Sequence, residues 1–141
     1  MSIIGIGVDI VNNNRFKKLV KNKKFIDRIF TDNERKSSVK FKNKLNYFSK
    51  RFAAKEAFSK ATGLGISKNL NFRDIEIKNN KKGKPLINLN KFTINYLKKK
   101  FKAKSFQTNL SLSDEKNYSI AYVIIQKKWS KKVLLQKILK L

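Results

Sequence analysis

Nine acidic residues stand against thirty-five basic ones in this chain, and two of the nine occupy settings that suit chemistry on phosphates. Asp9 interrupts the apolar run SIIGIGVDIV (residues 2–11), where an unpaired buried carboxylate would cost several kcal/mol and so needs cations or hydrogen bonds. Glu56 lies between Lys55 and Lys60 in RFAAKEAFSKATGLGI (residues 51–66). Taken singly, each has an ordinary explanation: a capped or salt-bridged aspartate, and an i,i+4 helix pair of Glu56 with Lys60 worth about 0.2–0.5 kcal/mol. Taken together, two carboxylates with Lys and Arg nearby are what a Mg2+ site for phosphate chemistry requires. Mg2+ accepts one or two carboxylates, keeps several waters and takes its remaining oxygens from substrate phosphates. Spacing alone leaves open whether Asp9 and Glu56 meet. Cysteine and histidine are both absent, which excludes disulfides, thiolate chemistry, Ser-His nucleophile activation and histidine-bound zinc or haem.

The elements that must position these groups follow from periodicity. In residues 2–11, Ile4, Ile6, Val8 and Ile10 alternate with Ile3, Gly5, Gly7, Asp9 and Val11, so a strand is predicted with Asp9 on its glycine-bearing face. Residues 14–22 place Phe16, Leu19 and Val20 at helical spacing among basic residues, a short basic amphipathic helix. TDNE at 31–34 has the form of a capping box and starts a second helix. A third helix is predicted from about Leu45 to Thr62, stopped by Gly63 and Gly65. On it Ala53, Ala54, Ala57, Phe58 and Ala61 form the apolar face, Lys55 and Ser59 point outward, and Glu56 and Lys60 sit on the border. Residues 72–78 and LINL (86–89), joined by a turn at 79–85, make a hairpin. Asn90 caps a helix whose stripe is Phe92, Tyr96, Leu97 and Phe101. FQTNLSLS, the turn DEKN and YSIAYVIIQ close the domain as a second hairpin. The expected class is α+β, an antiparallel sheet packed against helices, in one domain over residues 1–126. Residues 127–141 add a basic amphipathic extension that could pack on the domain, on a partner or on a membrane surface.

The formal net charge of +26 invites a nucleic-acid partner, since clustered cations gain affinity by releasing counterions from phosphates. Lysine, asparagine, isoleucine and phenylalanine are abundant together, however, as a coding bias towards A and T would produce. The cations are scattered, and no aromatic-basic sequence specific for bases is present, so no nucleic-acid partner is expected. The five arginines, Arg15, Arg28, Arg35, Arg51 and Arg73, carry more information, because each offers a planar fork for phosphate or carboxylate. No apolar stretch approaches the roughly 20 residues that cross a bilayer, and the N-terminus lacks a signal-peptide pattern. The expectation is a cytoplasmic protein without a stable membrane anchor.

GIGVDIV (5–11), FTDNE (30–34), KRFAAKEAFSKATGLGI (50–66), GKP (83–85) and LSLSDEKNYSIAYVII (110–125) occur in one order and spacing. In these motifs the chain resembles the holo-[acyl-carrier-protein] synthases, a branch of the 4′-phosphopantetheinyl transferases, over residues 1 to about 126. The resemblance implies that family's fold and a Mg2+-dependent transfer of 4′-phosphopantetheine from coenzyme A to a serine of apo acyl carrier protein, as in fatty acid biosynthesis. It implies Asp9 and Glu56 as metal ligands, Lys60 as a phosphate-binding and charge-stabilising group, and Arg51 and Lys84 as further contacts for coenzyme A phosphates. A water held by the metal or by Glu56 would accept the serine proton. Asp114 stands where many members have a histidine, and would act either as a substitute base or as a turn residue. The resemblance also implies a homotrimer with active sites at subunit interfaces. An acidic carrier would dock on the first helix through Arg15, Lys18, Leu19 and Lys21, in keeping with the amphipathic reading of residues 14–22.

Overall fold

The alternation in residues 2–11 becomes strand β1 (Ile3–Asn12), but apart from Ile4, which packs against the core, its isoleucines face outward. Ile6, Val8 and Ile10 remain 54–59% exposed, whereas Gly7 and Val11 are buried and Asp9 is half-buried. The inner face of β1 is stripped of bulk so that a helix can lie directly on its backbone. A computed structural model describes residues 2–129 and 131–141; Met1 and Ser130, the latter within the predicted extension, lie outside the described residues.

The Asn12 side chain caps α1 (Asn13–Val20), and Asn22 caps α2 (Lys23–Ile29). The predicted single helix over 14–22 therefore ends early, and α2 is an element that periodicity did not reveal. Asn22 accepts the backbone N–H of Phe25 and starts a new helix there. The Thr31–Glu34 capping box opens α3 (Asp32–Ser38) as predicted. Helix α4 (Lys44–Thr62) follows, started by the Asn43 side chain and stopped at Gly63, whose φ of +73° is left-handed. The segment Phe72–Asp74 is a turn of 3-10 helix rather than the start of a strand, since Asp74 accepts the Asn71 N–H and draws the chain into a tight turn. Strands β2 (Ile75–Asn79) and β3 (Pro85–Leu89) form the first hairpin. Asn90 caps α5 (Lys91–Phe101), in which Leu97 is fully buried. Phe92 is 75% exposed and leaves the predicted stripe, because α5 turns Thr93 and Leu97, both fully buried, towards the core instead. Strands β4 (Phe106–Asp114) and β5 (Tyr118–Lys127) close the domain, and α6 (Lys131–Ile138) follows them.

Strand β5 lies between β1 and β4, giving an antiparallel three-stranded sheet, and β2–β3 stands apart as a two-stranded ribbon. Ala121, Val123 and Ile125 of β5 point inward to α4, together with Phe30, Phe58, Leu70, Ile75 and Leu97. This is the predicted α+β arrangement, with α4 enclosed rather than resting on one face.

A Cβ on Gly7 would lie 1.8 Å from the carbonyl oxygen of Ala57, and one on Gly5 1.8 Å from that of Ala61. Backbone cannot yield as a flexible side chain can, so Gly7→Ala must part the helix from the strand. The expected cost is about 3 kcal/mol, at the upper end for an overpacked core. It should be measurable by urea denaturation and accompanied by loss of whatever chemistry joins Asp9 to α4. A cost below about 0.5 kcal/mol would refute the close packing.

Candidate active site

The glycine contacts fix where the side chains one step further along each element must fall. Asp9 follows Gly7 on the inner face of β1, and Glu56 precedes Ala57 on α4. Both line one cleft of about 550 Å³, with Asn12, Arg15, Phe52 and Tyr118 among its other walls. The two carboxylates left unconnected by spacing are thus brought together by packing.

Their electrostatics differ. The Asp9 carboxylate accepts from Lys60 Nζ at 2.8 Å, and the same ammonium donates to the Val8 carbonyl at 3.1 Å. Lys60 has turned from its helical neighbour to the strand, and its side chain is 53% exposed at the mouth of the cleft. Glu56 receives no hydrogen bond at its carboxylate from the described residues. Burial raises its pKa above the ordinary carboxylate value, the charge of Asp9 adds to this, and Lys60 opposes it. A half-buried carboxylate with a like charge beside it and no donor of its own is a group that lacks a cation. Among the described residues no set of three or more His, Cys, Asp or Glu side chains is placed to hold a metal ion. A pair of carboxylates open to a cleft suits a cation that keeps waters and takes substrate oxygens, as Mg2+ does, rather than one needing an all-protein cage.

Lys55 departs from expectation. The side of α4 predicted to face solvent is covered by α3 and the β2 ribbon, and Lys55 is fully buried. Its Nζ pairs with Glu34 at 2.9 Å and donates to the carbonyls of Phe72 and Ile75. Ser59, also expected outside, is buried and donates to the Glu56 carbonyl.

Arg51 is buried too. Its guanidinium sits 3.5 Å from the centroid of the Tyr47 ring and donates to Asn79 Oδ1 at 2.6 Å, while its Nε has no partner. It borders a second cavity of about 530 Å³ that Lys36, Lys40, Phe41 and Lys78 also line. Lys84 is exposed in the Gly83 turn, its backbone N–H held by Asn80. Within one chain neither residue reaches the Asp9–Glu56 cleft. Arg15, Lys18, Leu19 and Lys21 are all exposed along α1, and Arg15 doubles as a wall of the cleft. Asn12, Phe52 and Tyr118 went unnoticed in the sequence; the β1–β5 register pairs Asn12 with Tyr118 here, and Phe52 arrives on α4 one turn before Glu56.

Asp114, the last residue of β4, accepts from Asn46 Nδ2 at 2.9 Å and pairs with Lys50 at 3.0 Å. It ties the end of β4 to the start of α4 and does not line the Asp9–Glu56 cleft. Asp114→Ala is expected to cost about 0–1 kcal/mol, as an exposed pair does, and to leave most activity in place. A loss of activity equal to that of a Glu56 variant would instead make it part of the chemistry.

Comparison with known proteins then decides the family. The 4′-phosphopantetheinyl transferase superfamily matches residues 5–123. The chain belongs to it. Holo-[acyl-carrier-protein] synthase of Pelagibacter ubique is 54% identical over 128 residues, covering 91% of this chain and 100% of that protein. The crystal structure of holo-[acyl-carrier-protein] synthase from Neisseria meningitidis superposes with a TM-score of 0.81 at 36% identity, covering 89% of this chain and 100% of the other. The Bacillus anthracis synthase, solved in complex with CoA (3′,5′-ADP), gives a TM-score of 0.75 at 36% identity, covering 89% of this chain and 98% of the other. Helix α6 lies beyond residue 123, where the matched region ends.

Proposed function

We propose that the protein is a holo-[acyl-carrier-protein] synthase, moving 4′-phosphopantetheine from coenzyme A to a serine of apo acyl carrier protein. The observation that carries this reading is the convergence of Asp9 and Glu56 on one cleft with Lys60 at its mouth. The serine oxygen forms a bond to the phosphorus bearing pantetheine, the P–O bond within the pyrophosphate breaks, and adenosine 3′,5′-bisphosphate leaves. Asp9 and Glu56 would hold Mg2+, which when bound supplies positive charge against the pyrophosphate oxygens. Lys60, held by Asp9 and open to solvent, adds a cation where phosphate arrives. Glu56, raised in pKa and free of donors, is suited to hold the water that takes the serine proton. Arg15, exposed beside the cleft, guides an acidic carrier whose apolar contact is Leu19, with Lys18 and Lys21 flanking it.

We also read the protein as a homotrimer. Ile6, Val8 and Ile10 of β1 and Ile120 and Tyr122 of β5 leave an apolar outer sheet face 39–59% exposed, more than scattered surface residues need. A site completed across subunits would account for Arg51 and Lys84 lying away from the cleft within one chain. The decisive test is mass spectrometry of apo carrier protein incubated with this protein, coenzyme A and Mg2+. The phosphopantetheine adduct is expected, and its absence with a folded enzyme would end the reading. Sedimentation tests the assembly separately, with a monomer refuting the trimer.

A further inference from the structure

After Glu115 the chain carries no acidic residue, and from position 127 onward it holds Lys127, Lys128, Lys131, Lys132, Lys137 and Lys140. Interleaved with them, Leu134, Leu135, Ile138, Leu139 and Leu141 are 51–106% exposed. At about 100° per residue these five fall in one arc about 160° wide, opposite Gln136, Lys137 and Lys140. The orientation of α6 fixes which side is free. Val133 is half-buried, and Lys137 Nζ lies 3.8 Å over the ring of Trp129, so the side opposite the leucines folds back on the segment that leads into α6 while the leucines stay exposed. The leucine arc does not pack on the domain.

We propose that α6 seats the protein reversibly on an anionic lipid surface. A second extension is a poor occupant, since it would bring Lys131, Lys132, Lys137 and Lys140 of two copies together with no acidic residue after Glu115 to answer them. A nucleic acid would satisfy the lysines and leave the aliphatic arc in water. An acidic carrier docks beside the cleft, and the extension starts at the other end of β1. The Lys127 N–H bonds the Ser2 carbonyl there, and Ile3 to Asp9 spans about 20 Å of strand. An anionic bilayer meets both requirements at once. The aliphatic arc enters below the headgroups, the lysines meet lipid phosphates, and Lys131, within the arc, reaches them by its long stem. One helix of eight residues gives weak, reversible attachment rather than an anchor.

The test uses the full chain and vesicles of phosphatidylcholine with or without phosphatidylglycerol. Flotation should show association with the anionic vesicles and at least about tenfold less with neutral ones or at high salt. The triple variant Leu134→Ser/Leu135→Ser/Ile138→Ser should lose about tenfold or more of the association while keeping transfer activity in solution. Vesicle binding unchanged in that variant would assign it to the charge of the body and overturn the proposal. So would no binding to either vesicle, a self-association without lipid that the variant abolishes, or a selective loss of carrier affinity.

Discussion

Glu56→Gln and Asp9→Asn are each expected to lower transfer assayed with Mg2+ by about 10²- to 10³-fold, the several kcal/mol that a divalent ion contributes to phosphoryl transfer. The fold survives both changes, because neither side chain belongs to the core. Stability supplies an independent readout. Burial, reinforced by Asp9 and opposed by Lys60, holds the Glu56 carboxyl above its ordinary value. A carboxyl raised in the folded state binds its proton more tightly there than in the unfolded chain. Its ionisation therefore costs stability at pH above the raised value, and that cost disappears as pH falls below the ordinary carboxylate value. Without metal, Glu56→Gln should melt higher than the parent at neutral pH, and the difference should shrink on acidification through that window. Added Mg2+ should then stabilise the parent more than the variant, since a ligand stabilises the state that binds it. Full activity in either variant, or equal stabilisation of parent and variant by Mg2+, would remove the carboxylates from the metal.

Lys55→Met, one residue away, acts through stability instead. Removing the buried ammonium leaves the Glu34 carboxylate, 1% exposed, without its charge partner, and strips donors from the carbonyls of Phe72 and Ile75. Breaking a buried pair from one side costs about 3–5 kcal/mol, a large part of a small domain's stability. Glu34 also accepts the N–H groups of Thr31 and Ile77, so the loss reaches the α3 cap and the β2 ribbon. Adding Glu34→Gln should recover part of the cost by removing the orphaned charge, and urea denaturation of the single and double variants measures both. By contrast Lys60→Met, at a half-exposed side chain, should cost about 0–1 kcal/mol and still depress transfer. If Lys55→Met proves as stable as the parent, the buried pair contributes nothing to the fold.

Much of this architecture was legible in advance because it rests on local chemistry. The Thr31–Glu34 box, the Gly63 stop, the Asn90 cap and the alternation of β5 are each decided by residues within a turn or two. The failures share a different cause. Lys55 and Ser59 read as outward on a helical wheel, because a wheel assumes that one side of a helix meets solvent. In β1 the alternation was plain while its polarity was not, for glycine, the least bulky residue, marks the buried face.

For the site, the residue types alone determined the chemistry available. With no cysteine or histidine, carboxylates, lysine, serine or a hard metal ion were what remained. Tertiary structure decided which of these groups meet. The contact of Gly5 and Gly7 with the Ala61 and Ala57 carbonyls sets the helix on the strand, and that one contact places Glu56 beside Asp9 and turns Lys60 away from its i−4 neighbour. Charge and donor capacity belong to each residue wherever it lies, whereas proximity across forty-seven positions depends on how closely two backbones pack.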